Sequence, residues 1–64
     1  MVLEVRPFDI HGVAHVDVTV THPDRSVETA RLGSESVPRD LKAGERVLMV
    51  KAMNVVVEIR RVDG

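Results

Sequence analysis

Cysteine is absent from this chain of 64 residues, so neither a disulfide framework nor a thiolate metal site is available to it. Tryptophan and tyrosine are absent as well, and Phe8 is the single aromatic residue. A surface that binds nucleic acid by base stacking needs several aromatic faces, and the sequence supplies one. No apolar run reaches the ~18 residues of a membrane span, and no apolar signal core follows Met1. The expectation is a cytoplasmic protein without a membrane span. Charge of one sign is missing too: 9 Lys+Arg face 10 Asp+Glu, and with 3 His the net charge is −1. A general nucleic-acid binder carries a basic excess, so this balance makes nucleic acid an unlikely partner.

What the chain does have is valine, 14 of its 64 residues, with Thr and Ile adding to a β-branched excess. Such side chains are stiff in helices and pack well on a pleated surface, so the fold class is all-β. The length suits one domain, 1–64, with an aliphatic core.

Met1 to Arg6 reads as a first strand, with Leu3 and Val5 on one face, Val2, Glu4 and Arg6 on the other, and Pro7 blocking continuation. After Gly12, residues Val13 to Thr21 alternate strictly: Ala14, Val16, Val18 and Val20 against His15, Asp17, Thr19 and Thr21. This period of two is a half-buried strand with its valines inward. His22-Pro23-Asp24-Arg25 is a turn, Pro supplying its fixed φ and Asp a carboxylate for nearby amides. Ser26 to Leu32 returns as a third strand, and because Val27 is out of phase with Ala30 and Leu32, a bulge is expected near Glu28 or Thr29.

Gly33 to Ser36 is a polar loop, and Val37 to Lys42 is expected to hold a short helical or 3₁₀ turn with Pro38 at its first position. Gly44 supplies a positive-φ corner into a fourth strand, Arg46 to Met53, apolar on both faces and therefore expected to be central. A tight turn at Met53-Asn54 leads to a last strand, Val55 to Arg61. Five strands with a Gly-led fourth fit a small OB-like barrel, with an SH3-like barrel as the alternative, since closure removes edges that a Val-rich sheet exposes at risk.

Several constellations bear on chemistry. His15 and Asp17 share a strand face with His11 close by, and a carboxylate that orients an imidazole is an element of metal and general-base sites. A metal needs a third ligand at suitable spacing, and alternating His, Asp and Thr is also what a solvated sheet face looks like, so no metal or other cofactor is expected. Ser26, Ser34 and Ser36 lack any nucleophile-elbow context, and no glycine pattern cradles phosphate, which makes the expectation a non-enzyme. The cations Arg6, Arg46, Lys51, Arg60 and Arg61 are the candidate contacts of an alternative nucleic-acid-binding role, but Glu4, Glu45 and Glu58 intersperse them.

The last hairpin carries the strongest functional signal. Leu48, Met49, Val50, Met53 and Val56 crowd both of its faces, while a barrel this small has one interior. On strict alternation Val56, with Met49 or Leu48, must be covered from outside. The expectation is a protein-interaction module that binds a partner or a second copy of itself, unless the Val37 to Leu41 segment covers the surplus.

Two resemblances follow from particular residues. Val27-Glu28-Thr29-Ala30, Lys42-Ala43-Gly44-Glu45-Arg46-Val47 and Val55-Val56-Val57-Glu58 together resemble the C-terminal OB domain of the NfeD-like family. That likeness implies an OB barrel with no catalytic residues of its own. Met1-Val2-Leu3 and Gly44-Glu45-Arg46-Val47-Leu48-Met49-Val50 resemble the hydrogenase-maturation chaperones of the HypC type. Their activity rests on a cysteine where this chain has Val2, so only architecture is implied. Initiation factor one is a further OB comparison, with a more basic surface than this one.

Overall fold

The computed structural model describes residues 1–62 and is all-β, with five strands in two sheets. Strands β1 (Val2–Ile10), β2 (Val13–Thr21) and β3 (Val27–Gly33) form an antiparallel meander, and β4 (Val47–Ala52) pairs with β5 (Val55–Arg61) in a second sheet. The core is aliphatic: Val2, Val16, Val18, Val20, Ala30, Leu32, Leu41 and Ile59 are buried. As the alternation of β2 predicts, its three inner valines belong to this core. Asp17 and Thr19 point the other way, half-buried because Arg31 and Thr29 bond to them across the strand pair.

β1 runs through Pro7 to Ile10 rather than stopping at Arg6. His11 and Gly12, with φ of 50° and 80°, make a two-residue turn of the primed kind, and Ile10 pairs with Val13. Such a turn closes on a hydrogen-bonded pair, and the pairs then alternate, so Phe8–His15 and Arg6–Asp17 exchange backbone bonds while Pro7–Val16 does not. The nitrogen of Pro7 therefore faces the open edge of the sheet, where no donor is required. The expected faces of this strand are also corrected. A bulge at Leu3 interrupts the register between Val2 and Glu4, turning Val2 and Val5 both toward the core and leaving Leu3 exposed.

The bulge expected at Glu28 or Thr29 is absent: β2 and β3 pair without interruption from Thr21–Val27 to His15–Gly33. Val27 simply lies exposed on the outer face, and Glu28 takes the inner position at the sheet end, where His22 and Lys51 bond to it. The turn before β3 behaves as its residues suggest, with Asp24 Oδ1 accepting from the Ser26 amide at 2.9 Å and hydroxyl at 2.6 Å.

The short 3₁₀ turn falls at Ser34–Ser36, ahead of the expected Val37 to Lys42, because proline holds its predecessor extended: Val37 has φ −125° and ψ 139°. Val37 and Leu41 then pack on the core, so this segment does not cover the outside of the last hairpin. Gly44 has the positive φ its position calls for, +93°. Here the two sheets join: the Gly44 amide donates to the Val2 carbonyl and the Val2 amide to the Glu45 carbonyl, both at 2.8 Å. β5 lies beside β3. β4 has β5 as its one ladder neighbour among the described residues and is not central as expected, because β1 reaches only the corner before it.

Candidate interaction surface

The β4–β5 hairpin is closed by Met53 and Asn54, with φ of 51° and 67°, again the primed geometry that matches strand twist. Its register shifts between Val50 and Lys51: Val50 opposes Glu58 and Lys51 opposes Val56, leaving Val57 as the extra residue of a bulge. That single insertion sorts the apolar side chains. Ile59 is buried, and Val47, Met49 and Val56 pack against the core from the same side. Leu48 (58% exposed) and Val57 (44%) lie outside, Val55 (62%) follows them, and Met53 stands almost free at the tip (97%).

Of the residues singled out in the sequence, Leu48 and Met53 are therefore exposed, Val50 is half-buried on the outer side, and Met49 and Val56 face inward. The expectation that Val56 needs an outside cover is corrected, because the bulge at Val57 reverses its face. Val55 and Val57 take its place in the patch. A period-of-two reading has no signal for that exchange, since the bulge carries no glycine.

The cations are not gathered into a groove. Arg6 stands opposite Asp17 on β1, whereas Arg60 and Arg61 are on β5, beside β3. Arg60 pairs with Glu58 at 3.2 Å, Lys51 with Glu28 at 3.2 Å, and Arg61 Nε with Glu45 at 2.7 Å. A second Arg61 nitrogen donates to the Arg39 carbonyl at 2.6 Å, tying β5 to the 37–41 segment. Arg46, at the entry to β4, is exposed. The bonds from Arg61 and the Lys42 amide hold the Glu45 carboxyl below its ordinary range, and those from His22 and Lys51 do the same for Glu28.

Around His15 the outer face of the three-stranded sheet is closed on itself. Arg31 grips Asp17 through Nε at 3.0 Å and a terminal nitrogen at 3.2 Å, and its guanidinium lies 4.7 Å from the centre of the Phe8 ring. Phe8 stacks on His15 at 5.8 Å, and His15 Nδ1 sits 2.9 Å from the Val13 carbonyl oxygen. The hydrogen bonds from Arg31 hold Asp17 below its ordinary pKa. Asp17 thus serves Arg31 rather than orienting His15, and among the described residues no three His, Asp or Glu side chains are placed to hold a metal ion. The His11-Gly12 turn is the signal that places Phe8 opposite His15, since it fixes the register of the whole strand pair.

A pocket of about 490 Å³ opens between Val5, Pro7 and Val16 on one side and Val37, Pro38 and Leu41 on the other. Its floor is apolar, and Glu35, Arg39 and Asp40 stand at its rim. No helix among the described residues is long and apolar enough to cross a membrane. Compared with protein-family models, curated proteins and solved structures, the chain matches none of them.

Proposed function

We propose that this protein is a non-catalytic, OB-like interaction module that associates with a second copy of itself through the outer face of the β4–β5 hairpin. One observation carries the reading: Leu48, Val55 and Val57 are exposed along a strand pair whose other face already supplies the core. Several aliphatic side chains exposed on one face of so small a protein mark an interaction site, and a second copy is always present at matching concentration. The ring order β1–β2–β3, then β5 beside β3, then β4 returning through Glu45 to Val2, supports the OB-like barrel. The carboxylate partners of Lys51, Arg60 and Arg61 weigh against the nucleic-acid alternative.

Sedimentation velocity tests the reading. The wild type should sediment as a dimer at micromolar concentrations, and Leu48→Lys or Val57→Lys should return it to monomer with its circular dichroism unchanged, because neither side chain belongs to the core. Val56→Lys is unsuitable, since Val56 packs inward. A wild type that stays monomeric overturns self-association. Binding of single-stranded RNA that weakens steeply with salt replaces it with the nucleic-acid role.

A further inference from the structure

The segment that leads from the 3₁₀ turn to the Gly44 corner is pinned along its length. Val37 and Leu41 pack on the core, the Arg39 carbonyl accepts from Arg61 at 2.6 Å, and the Lys42 amide donates to Glu45 Oε2 at 2.6 Å. It joins β1 at Val2, which bonds Gly44 and Glu45. Before that junction the segment and the free edge of β1 stand apart, and the pocket of about 490 Å³ lies between them. Its two walls are not built to zip together, because Pro7 on β1 and Pro38 across from it both lack an N–H. Along the edge, the alternation that starts at Ile10–Val13 leaves Val5 and Pro7 with their backbone groups directed away from β2. Val2 spends its outward amide and carbonyl on the corner, and Pro7 has only a carbonyl to offer. Val5, between them and half-buried, presents an N–H and a C=O side by side, with no backbone partner on that side among the described residues. Groups so placed call for a partner. Beneath them the pocket is hydrocarbon, formed by the side chains of Val5, Val16, Val37 and Leu41.

We propose that this pocket binds a small uncharged molecule with a flat apolar body and an amide edge, the amide exchanging two hydrogen bonds with the backbone of Val5. Three features select that class. The donor and acceptor of one strand-edge residue match the N–H and C=O of an amide, whereas a carboxylate has no donor and an ammonium no acceptor. The hydrocarbon floor supplies no counter-charge, so burying a charged body there is costly. An extended peptide is the rival occupant, and this edge is unsuited to it: the bulge at Leu3 and the missing N–H of Pro7 leave Val5 as the one regular position between them, where a strand needs several in succession. A single amide needs one. A preformed apolar pocket with a few convergent polar groups is the usual form of a small-molecule site. The site is separate from the outer face of the β4–β5 hairpin, so it stands whether or not the chain self-associates.

Titration of the isotope-labelled chain with benzamide, read by two-dimensional NMR, tests the proposal. Methyl benzoate is the matched probe, since it keeps the ring and the acceptor and lacks the donor. Benzamide should shift the amides of Val5, Val16 and Leu41 saturably, that of Val5 downfield as its N–H gains an acceptor. Methyl benzoate should bind about fivefold more weakly, the worth of one hydrogen bond. Pro7→Phe fills the mouth of the pocket from an exposed position and should abolish the benzamide shifts; if that variant does not fold, the comparison of the two probes on the wild type decides. Shifts that are absent up to the solubility of benzamide, or that fall on the β4–β5 hairpin instead, overturn the site. Equal affinity for the two probes overturns recognition of the amide. A capped peptide of alternating Thr and Val that binds more tightly than benzamide, and shifts Asp9 together with Val5, overturns the small-molecule class in favour of strand addition.

Discussion

Val18 is the most informative place to perturb the fold, because it has no exposed surface and sits in the middle strand between Val5 and Ala30. Val18→Ala removes the equivalent of two methylenes, about 1.6 kcal/mol of transfer free energy at ~0.8 kcal/mol each. Its neighbours are held by two ladders and relax only in part, so a cavity contribution brings the expected loss to about 2–3 kcal/mol. Val27→Ala is the matched control: the same atoms are deleted on the same sheet, from a side chain that is largely exposed on the outer face, and the expected cost is within ~0.5 kcal/mol. Urea unfolding followed by circular dichroism separates them. With a slope of about 1 kcal/mol/M for so small a domain, the Val18 variant should unfold roughly 2 M earlier, and at a protein concentration where both variants are monomeric. Equal midpoints for the two variants would show that β2 does not present its valines to the core, and the register of the meander would fall with that result.

Gly44→Ala should cost about 1 kcal/mol, because a Cβ there meets no atom within 4 Å and the whole penalty comes from φ of +93°; a neutral result by thermal unfolding would contradict the left-handed corner. Acid should destabilise the fold. The carboxyls of Asp17, Asp24, Glu28 and Glu45 are all held below their ordinary values of 3.8 and 4.5, chiefly by hydrogen bonds from Arg31, Ser26, His22 and Arg61 in turn. Groups lowered in this way contribute stability that is complete above their unfolded pKa and is lost as pH falls through the folded one, so Tm should hold down to about pH 5 and decline below it. Glu45→Gln should flatten that decline, since it removes the group that ties β5 to the corner where the two sheets join; an unchanged acid limb would refute its share.

The parts of the fold that strict alternation or turn chemistry determines are legible in the sequence: the buried valines of β2, the Asp24 turn, the Gly44 corner, and the Met53-Asn54 hairpin with the final strand it leads into. The parts that depend on one inserted residue are not. Val27 looks out of phase yet begins a regular strand, while the actual bulges fall at Leu3 and Val57, where nothing in the residue types announces them. A bulge is fixed by what the following residues must reach. At β1 it lets both Val2 and Val5 meet the core, and at β5 it lets Ile59 and Val56 do the same. The candidate surface was legible to the same degree. An excess of apolar side chains in the last hairpin can be counted from the sequence, but which of them remain outside depends on the bulge at Val57.

That dependence sharpens the functional argument. The two bulges bring Val2, Val5, Val56 and Ile59 to the interior, so the core is complete without Leu48, Val55 or Val57. The outer face of the same hairpin accepts charge readily, as Glu58 and Arg60 form an ion pair there between the strand positions opposite Val50 and Leu48. Lysine or threonine at position 48 or 57 would leave the interior packing untouched, since those side chains do not contribute to it. Core packing of the single chain therefore does not call for aliphatic residues at these positions, whereas burial against another protein surface does.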